Sequence, residues 1–409
     1  MYSLHLSPEQ LQIRDTVRDF VAQEIKPRAL APQWLEARAR PLLTEALDQA
    51  SQLGLRTLAL SEAAGGAGAD NLTCCIVTEE LAAGDPDLAA VLAQTSTLAH
   101  ALFDGLMTQE ERARFLPAFL ADHRHHLALA EYEAHRDTAL GINYHRPQAN
   151  APRFATAAVR AGDTWIINGR KECVIGASQA ALFAVRASLG ESGAGTLLVP
   201  RDAPGLSVMP SQTNAPYQHG ACGVLVLEDC RVPAENCLAA DAALFDHTGR
   251  DIPQDAAINL GIGRAAYEAA LDYAQLRVQG GRRIIEHQAI GAKLAEIAIR
   301  LEVARAAIWQ AAWASDHPDA LADGSLPDLP LTTIASAFAA EAIYRAVKDA
   351  AECFGAMGVM RDMPLQKYVH DARISLHSGA GVSEMKLRIA EALARYRRPA
   401  APGAILAAE

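Results

Sequence analysis

Three histidines within four residues, His123, His125 and His126 of DHRHH, are side chains of the type that bind divalent metals. A zinc site needs partners at set spacings, and no paired carboxylate–histidine spacing stands here, so the stretch reads as a solvated turn before a strand. The cysteines Cys74, Cys75, Cys173, Cys222, Cys230, Cys237 and Cys353 are odd in number and form no CxxC pair, which predicts reduced thiols and no zinc site. Cys173 has the chemistry of a nucleophile, but no base is readable beside it and an inert buried thiol is the expectation. The glycine-rich run Glu62–Asp70 has the composition of a phosphate cradle, yet it lacks the Lys-Ser/Thr of a P-loop and follows no clear strand, so it reads as a turn. Arg277, with two residues between it and Gly280-Gly281, carries a planar fork able to make two charge-assisted hydrogen bonds to a phosphate. On its own it reads better as a surface arginine on an exposed helix face. Asp251 and Asp255 precede a long apolar-periodic segment, where acids routinely cap and charge a helix N-terminus.

Three stretches of different periodicity must position these residues. Residues 1–126 read as helices: Ser7-Pro8-Glu9-Gln10 is a capping box with proline at the first helical position, followed by an apolar stripe of Leu11, Val17, Val21 and Ile25. Further helices are predicted over 41–53, 72–84, 87–105 and 108–121. From 127 to 245 the period shortens to that of strands, with a hairpin in FATAAVRAGDTWIING around Ala161-Gly162-Asp163 and apolar runs in ALFAV, TLLVP and GVLVLEDCRVP. GINYHRPQANAP has no period and reads as a long loop. From 246 to 409 long helices return, with 4-3-4-3 stripes at Ile262, Ala266, Ala269, Tyr273 and Leu276, then at Ile290, Leu294, Ile297, Leu301, Ala304 and Ile308. The polar loop SDHPDALADGSLPDLP separates these from helices over 331–354 and 383–396. The predicted class is α+β, with a β domain inserted between helical ones.

Composition narrows the partners. A net charge of −11 offers no basic field for nucleic acid or an anionic membrane, and no apolar run is long enough to span a bilayer. The first helical segment carries charge where a signal peptide would be apolar, so a soluble, cytoplasmic protein is expected.

The strings GLRTLALSEAAGGAGAD, TQEERARFLPAFL, IINGRK, LEDCRVPAEN, GIGRAAYEAALDYAQLRVQGGRRIIEHQ and ECFGAMGVMRDMPLQKYVHDARI follow one another in an order that resembles the acyl-CoA dehydrogenase family almost from end to end. The resemblance implies a helical domain, a middle β-barrel domain and a C-terminal four-helix bundle. It also implies a tetramer, homomeric or built with a paralogous subunit, that uses FAD to remove an α-proton and a β-hydride from an acyl-CoA. By this resemblance Arg277 and Gln288 reach the FAD pyrophosphate region of a neighbouring subunit, so that the cofactor is shared across an interface. Glu352, Gly355 and Gly358 of ECFGAMG match the turn near the adenine end.

On the flavin-ring side the chain departs from the family pattern. Where the family has a Thr-Glu-Pro run ending in Gly-Ser-Asp, the chain reads Ala130 to Asp137 and keeps only Glu131 and Asp137, with Arg136 at a normally small position. Where the family has Trp-Ile-Thr-Asn-Gly, it reads Cys173-Val174-Ile175-Gly176-Ala177, so the stacking indole and the threonine near the ring are replaced by Cys173 and Ile175. The glutamate that many members carry in the closing turn is replaced in LHSGAGVSE by Ser378-Gly379-Ala380-Gly381. In branched- and long-chain members the base comes instead from the start of the first long C-terminal helix, and counting back from GIGRAAYEAAL puts that position on Asp251. The expectation is dehydrogenation of a bulky or branched acyl-CoA with Asp251 as base. Two alternatives remain open: a non-catalytic subunit that completes a paralogue's FAD site, and a flavin-independent or oxygen-using thioester enzyme on the same scaffold.

Overall fold

The computed structural model of the chain describes residues 5–32, 35, 42–133, 154–190, 193–210, 221–238, 253–317, 330–377 and 381–393. Helix α1 (Pro8–Phe20) starts where the capping box sets it: Gln10 N–H donates to Ser7 Oγ at 3.1 Å and Ser7 N–H to Gln10 Oε1 at 3.0 Å. It runs on through a π-helical turn at Val21–Ile25. Val17, Val21 and Ile25 are buried, whereas Leu11, the first residue of the expected stripe, is 37% exposed. There follow α2 (Thr44–Gln52), α3 (Asn71–Ala82), α4 (Pro86–Ala99) and α5 (Gln109–Ala121). The side chains of Asp70, Asp85 and Thr108 cap α3, α4 and α5 in turn. The glycine-rich run is a turn whose backbone folds back on Leu58–Leu60, with Gly68 N–H donating to the Leu60 carbonyl at 2.8 Å.

Seven strands form one sheet: β1 (His126–Ala130), β2 (Ala157–Ala161), β3 (Thr164–Ile175), β4 (Ala180–Ser188), β5 (Ala194–Pro200), β6 (Leu206–Pro210) and β7 (Cys222–Pro233). Their order is β1-β4-β2-β3-β7-β6, with β5 on the other side of the path beside β4. The β2–β3 hairpin turns at Gly162, whose φ of 65° needs a residue without Cβ. Strand β4 shows the period of two: Phe183, Val185 and Ala187 face the core of the sheet, while Leu182 and Ala184 face Leu98, Leu102, Phe103 and Phe119 of the helices. One face of the sheet is thereby fastened to the N-terminal helices.

The remaining helices are α6 (Pro253–Leu276), α7 (Gln288–Asp316), α8 (Leu331–Cys353), α9 (Leu365–Ile374) and α10 (Gly381–Leu393), with a small hairpin of β8 (Val278–Gln279) and β9 (Arg282–Arg283) between α6 and α7. Leu294, Ile297, Leu301, Ala304 and Ile308 of α7 are buried against α6 and α8, in the rhythm the sequence predicts. Gly261 lets α6 lie directly on α3, because a Cβ there would stand 2.4 Å from the Glu79 carbonyl oxygen. That contact is reinforced by ions: Arg264 forks onto Glu80 with two bonds of 2.6 Å, Arg18 Nη2 reaches Glu80 at 2.7 Å, and Arg305 reaches Glu79 at 2.8 Å. Burial pushes the Glu80 carboxyl up, and the hydrogen bonds from Arg264 and Arg18 outweigh it and hold it below the usual range. Among the described residues no helix is long and apolar enough to cross a membrane.

Candidate active site at the start of helix α6

Helices, sheet and bundle meet at one place. Ile175, at the end of β3, packs into the apolar cluster that includes Leu55, Leu58, Val77, Leu81 and Leu92. The same five side chains line a cavity of about 10 Å³, room for about one water molecule. Its polar wall is made of Cys74, Thr78, Ser96, Thr97 and, from the first turn of α6, Gln254. Gln254 Nε2 donates to Asn71 Oδ1 at 3.2 Å. Burial pushes the Cys74 thiol up to about 12, so it stays protonated and serves as wall.

The groups expected beside a flavin ring lie at the edge of this junction. Cys173 sits in an irregularity of the β3–β7 ladder with φ 50°, a backbone region that L residues other than Asn and Asp seldom adopt. Cys173 is half-buried rather than fully buried, and burial, then Glu172, raises its thiol. Glu131 follows directly on β1, and its carbonyl accepts from Lys171 Nζ at 3.4 Å. That lysine also donates to Glu133 at 2.6 Å, and both side chains are buried. Burial raises the Glu133 carboxyl; the bond from Lys171 and those from the Ala155 and Thr156 amides pull it lower. This pair fixes where the chain leaves β1. Asp137 and Arg136, together with Asp251, Ile252 and Ser378-Gly379-Ala380, lie outside the described residues.

The groups expected at the phosphate and adenine side are gathered elsewhere, at the far end of α6. Arg277 follows the helix directly and is exposed; its one side-chain partner among the described residues is Gln279 Oε1 at 3.4 Å. It lies between the end of α6 and the strand hairpin, and Gly280 and Gly281 at φ 63° and 80° make that hairpin's turn. Tyr273, one turn earlier, stacks on Phe354 with ring centroids 4.2 Å apart, which brings in Gly355 and Gly358. Gly358 is packed so that a Cβ would lie 2.5 Å from the Ala351 carbonyl oxygen. Glu352 pairs with Lys293, in the first turns of α7 close to Gln288. Arg277, Gln288, Glu352, Gly355 and Gly358 therefore share one end of the bundle. Helix α6 rises about 1.5 Å per residue, so about 33 Å separates Gln254 from Leu276.

The histidine run needs correction: it is not a solvated turn as a whole. His126 is buried on β1, with Nδ1 3.3 Å from Thr95 Oγ1, and burial followed by Arg56 pushes it down to about 4. His125 lies edge-on to Phe119, and His123 faces Gln52. A strand that turns a polar residue into a packed interface overrides the polarity of its sequence. Among the described residues no group of three or more ligands is placed to hold a metal. Sequence reasoning missed Gln254 and the Glu133–Lys171 pair. The signal for the first was an amide at the start of the largely apolar helix PQDAAINLGIG, and for the second a lysine in a half-buried strand.

Comparison with known proteins places these features. The N-terminal, middle and C-terminal domains of acyl-CoA dehydrogenases match residues 7–123, 148–230 and 254–394. A probable acyl-CoA dehydrogenase of Bacillus subtilis is 29% identical over 94% of this chain and 97% of its own length. The mitochondrial isobutyryl-CoA dehydrogenase of Dictyostelium discoideum is 26% identical over 96% of this chain and 91% of its own. Among solved structures, a glutaryl-CoA dehydrogenase from Mycobacterium smegmatis in complex with FADH2 superposes with a TM-score of 0.81 at 21% identity, covering 96% of each chain. With all three domains matched in order, the chain belongs to the acyl-CoA dehydrogenase family.

Proposed function

We propose that this chain oxidises the CH–CH bond next to the thioester of a short acyl-CoA, with FAD as cofactor. The observation that carries the reading is the junction cavity, walled by α3, α4 and the first turn of α6 and held against the end of β3. An α-proton of a thioester is too weakly acidic for a carboxylate in water, so the reaction needs a dry site, a polarised carbonyl and a base close by. Asp251, three residues before Gln254 in the chain, is the base we assign; its carboxylate takes the α-proton. Leu55, Leu58, Leu81 and Leu92 line this cavity of about 10 Å³, which suits the tip of a short acyl chain and is compatible with the branched chain expected from sequence. The matched relative that acts on isobutyryl-CoA supports a small acyl group.

Two observations support FAD. Arg277 is an exposed guanidinium with no ion pair among the described residues, ready for a diphosphate. Gly358, packed on Ala351, and Gly355, at φ 56°, make a tight turn at the same end. When bound, FAD supplies the acceptor for the β-hydride. Because Arg277 and Gln254 lie at opposite ends of α6, the phosphate-side residues of one chain serve the ring held by another, and the working unit is an oligomer, a tetramer in our reading. The seven free cysteines support a reducing compartment such as the cytoplasm.

A second reading, a partner subunit that completes the FAD site of a paralogous chain, is favoured by the ring-side wall: Cys173 is in a left-handed conformation and Ile175 is turned into the helical core. The visible spectrum of the chain purified alone with FAD supplied decides between them. A stoichiometric flavin band and turnover of butyryl-CoA with a dye acceptor support the first. A colourless oligomer that gains flavin only on co-expression with a second chain overturns it in favour of the partner subunit. Thioester turnover without flavin overturns both.

A further inference from the structure

Gln254 is 3% exposed and its amide is held in one sense only. Asp316 accepts from the Asn71 backbone N–H at 2.9 Å and from Asn71 Nδ2 at 2.7 Å. A carboxylate demands the donor end of the Asn71 amide, which leaves Asn71 Oδ1 as an acceptor. Gln254 Nε2 donates to that oxygen at 3.2 Å. The other end of the relay is Gln254 Oε1, a buried carbonyl oxygen to which nothing among the described residues donates. Gln254 lines the cavity together with Leu58, Leu81, Leu92, Thr78 and Thr97.

A buried acceptor left unpaired is costly, and a purely hydrocarbon chain entering this cavity would leave it so. We infer that the acyl group bound here carries a hydrogen-bond donor, a hydroxyl or an N–H near its distal end, which donates to Gln254 Oε1. This rests on the reading of the cavity as the acyl site. The size of the cavity suits a single polar atom at the tip of a short chain. A site built to receive a donor also discriminates more sharply than an apolar pocket does, because the analogue lacking the donor strands the protein's own buried group. Gln254 is thus a specificity residue, and Asn71 and Asp316 position it.

The test is titration calorimetry of the full chain, with FAD supplied, against butyryl-CoA and 4-hydroxybutyryl-CoA, beside a dye-reduction assay of both. The wild type is expected to bind the hydroxylated thioester about tenfold or more tightly, and Gln254→Met to abolish that preference. Equal affinities in the wild type overturn the inference, and so does a preference that survives in Gln254→Met. Oxidation of butyryl-CoA without any preference leaves the proposed reaction standing and removes the inference. A preference without oxidation of either thioester removes the reaction and keeps the inference, and failure to bind either overturns both. Should Gln254→Met not fold by circular dichroism, Asn71→Ser replaces it. That variant retains Gln254 but releases its amide, so the preference narrows; an undiminished preference overturns the assignment.

Discussion

The two ends of helix α6 have opposite surroundings. At the start, Gln254, Ala256 and Ala257 are buried beneath α3 and α4 and close to the end of β3. At the finish, Leu276 is 81% and Val278 59% exposed, and Arg277 is exposed just ahead of a two-stranded hairpin. A buried end can exclude water from a weak acid and its base. An exposed cationic end, flanked by apolar side chains that nothing among the described residues covers, is suited to a partner outside the helix. On the proposed reading, one protomer carries two half-sites rather than one whole site, with the helix between them as spacer.

The comparison breaks most completely if the buried end is disarmed. Asp251→Asn, which removes the proposed base and little volume, is expected to lower turnover of a short acyl-CoA by about 10²–10⁴-fold while the flavin band persists; loss of the band with the activity would mean that Asp251 supports the fold instead. Next in size is the frame shared by both ends. Arg264→Ala strands Glu80 with Arg18 alone and is expected to cost about 3 kcal/mol of stability, read as a fall in the urea midpoint without a change in slope.

A smaller effect sharpens the comparison through pH. His126 lies under α4 on the buried side, and its folded-state value of about 4 is below the ordinary 6.5. Both states are neutral above that range, and as pH falls the unfolded chain takes the proton first, so stability declines from about pH 6.5 to about 4. The loss amounts to about 2–3 kcal/mol, and His126→Leu should flatten this part of the profile. The smallest effect is at the exposed end: Arg277→Ala should weaken FAD binding about tenfold, the worth of one charge-assisted phosphate contact, and leave the melting temperature of the FAD-free protein unchanged.

Much of this frame is legible in sequence wherever local chemistry decides. Ser7 and Gln10 start α1, Gly162 turns the β2–β3 hairpin, and the stripe from Leu294 to Ile308 is the buried face of α7. Leu276 ends an apolar stripe yet is exposed, because periodicity cannot tell where along a helix the packing of its neighbours stops. Helix α3 is buried from Leu72 through Ala82, so it has no polar face to give it a period. The candidate site was legible in pieces: Arg277 and Gly355 by their setting, Cys173 and Ile175 by what they replace. Gln254 was not, since its significance depends on Asn71 and Asp316, which arrive from distant parts of the chain.

The most direct test of divided half-sites is complementation between two defective chains. Asp251→Asn alone should be yellow and inactive, and Arg277→Glu alone, with a carboxylate set against the phosphates, colourless and inactive. Co-expressed and purified as mixed oligomers, the two should regain about a quarter of wild-type activity, because random assembly pairs an intact start of α6 with an intact finish in that share of sites. Mixed oligomers that remain inactive would contradict the account and put both halves of the site in a single chain.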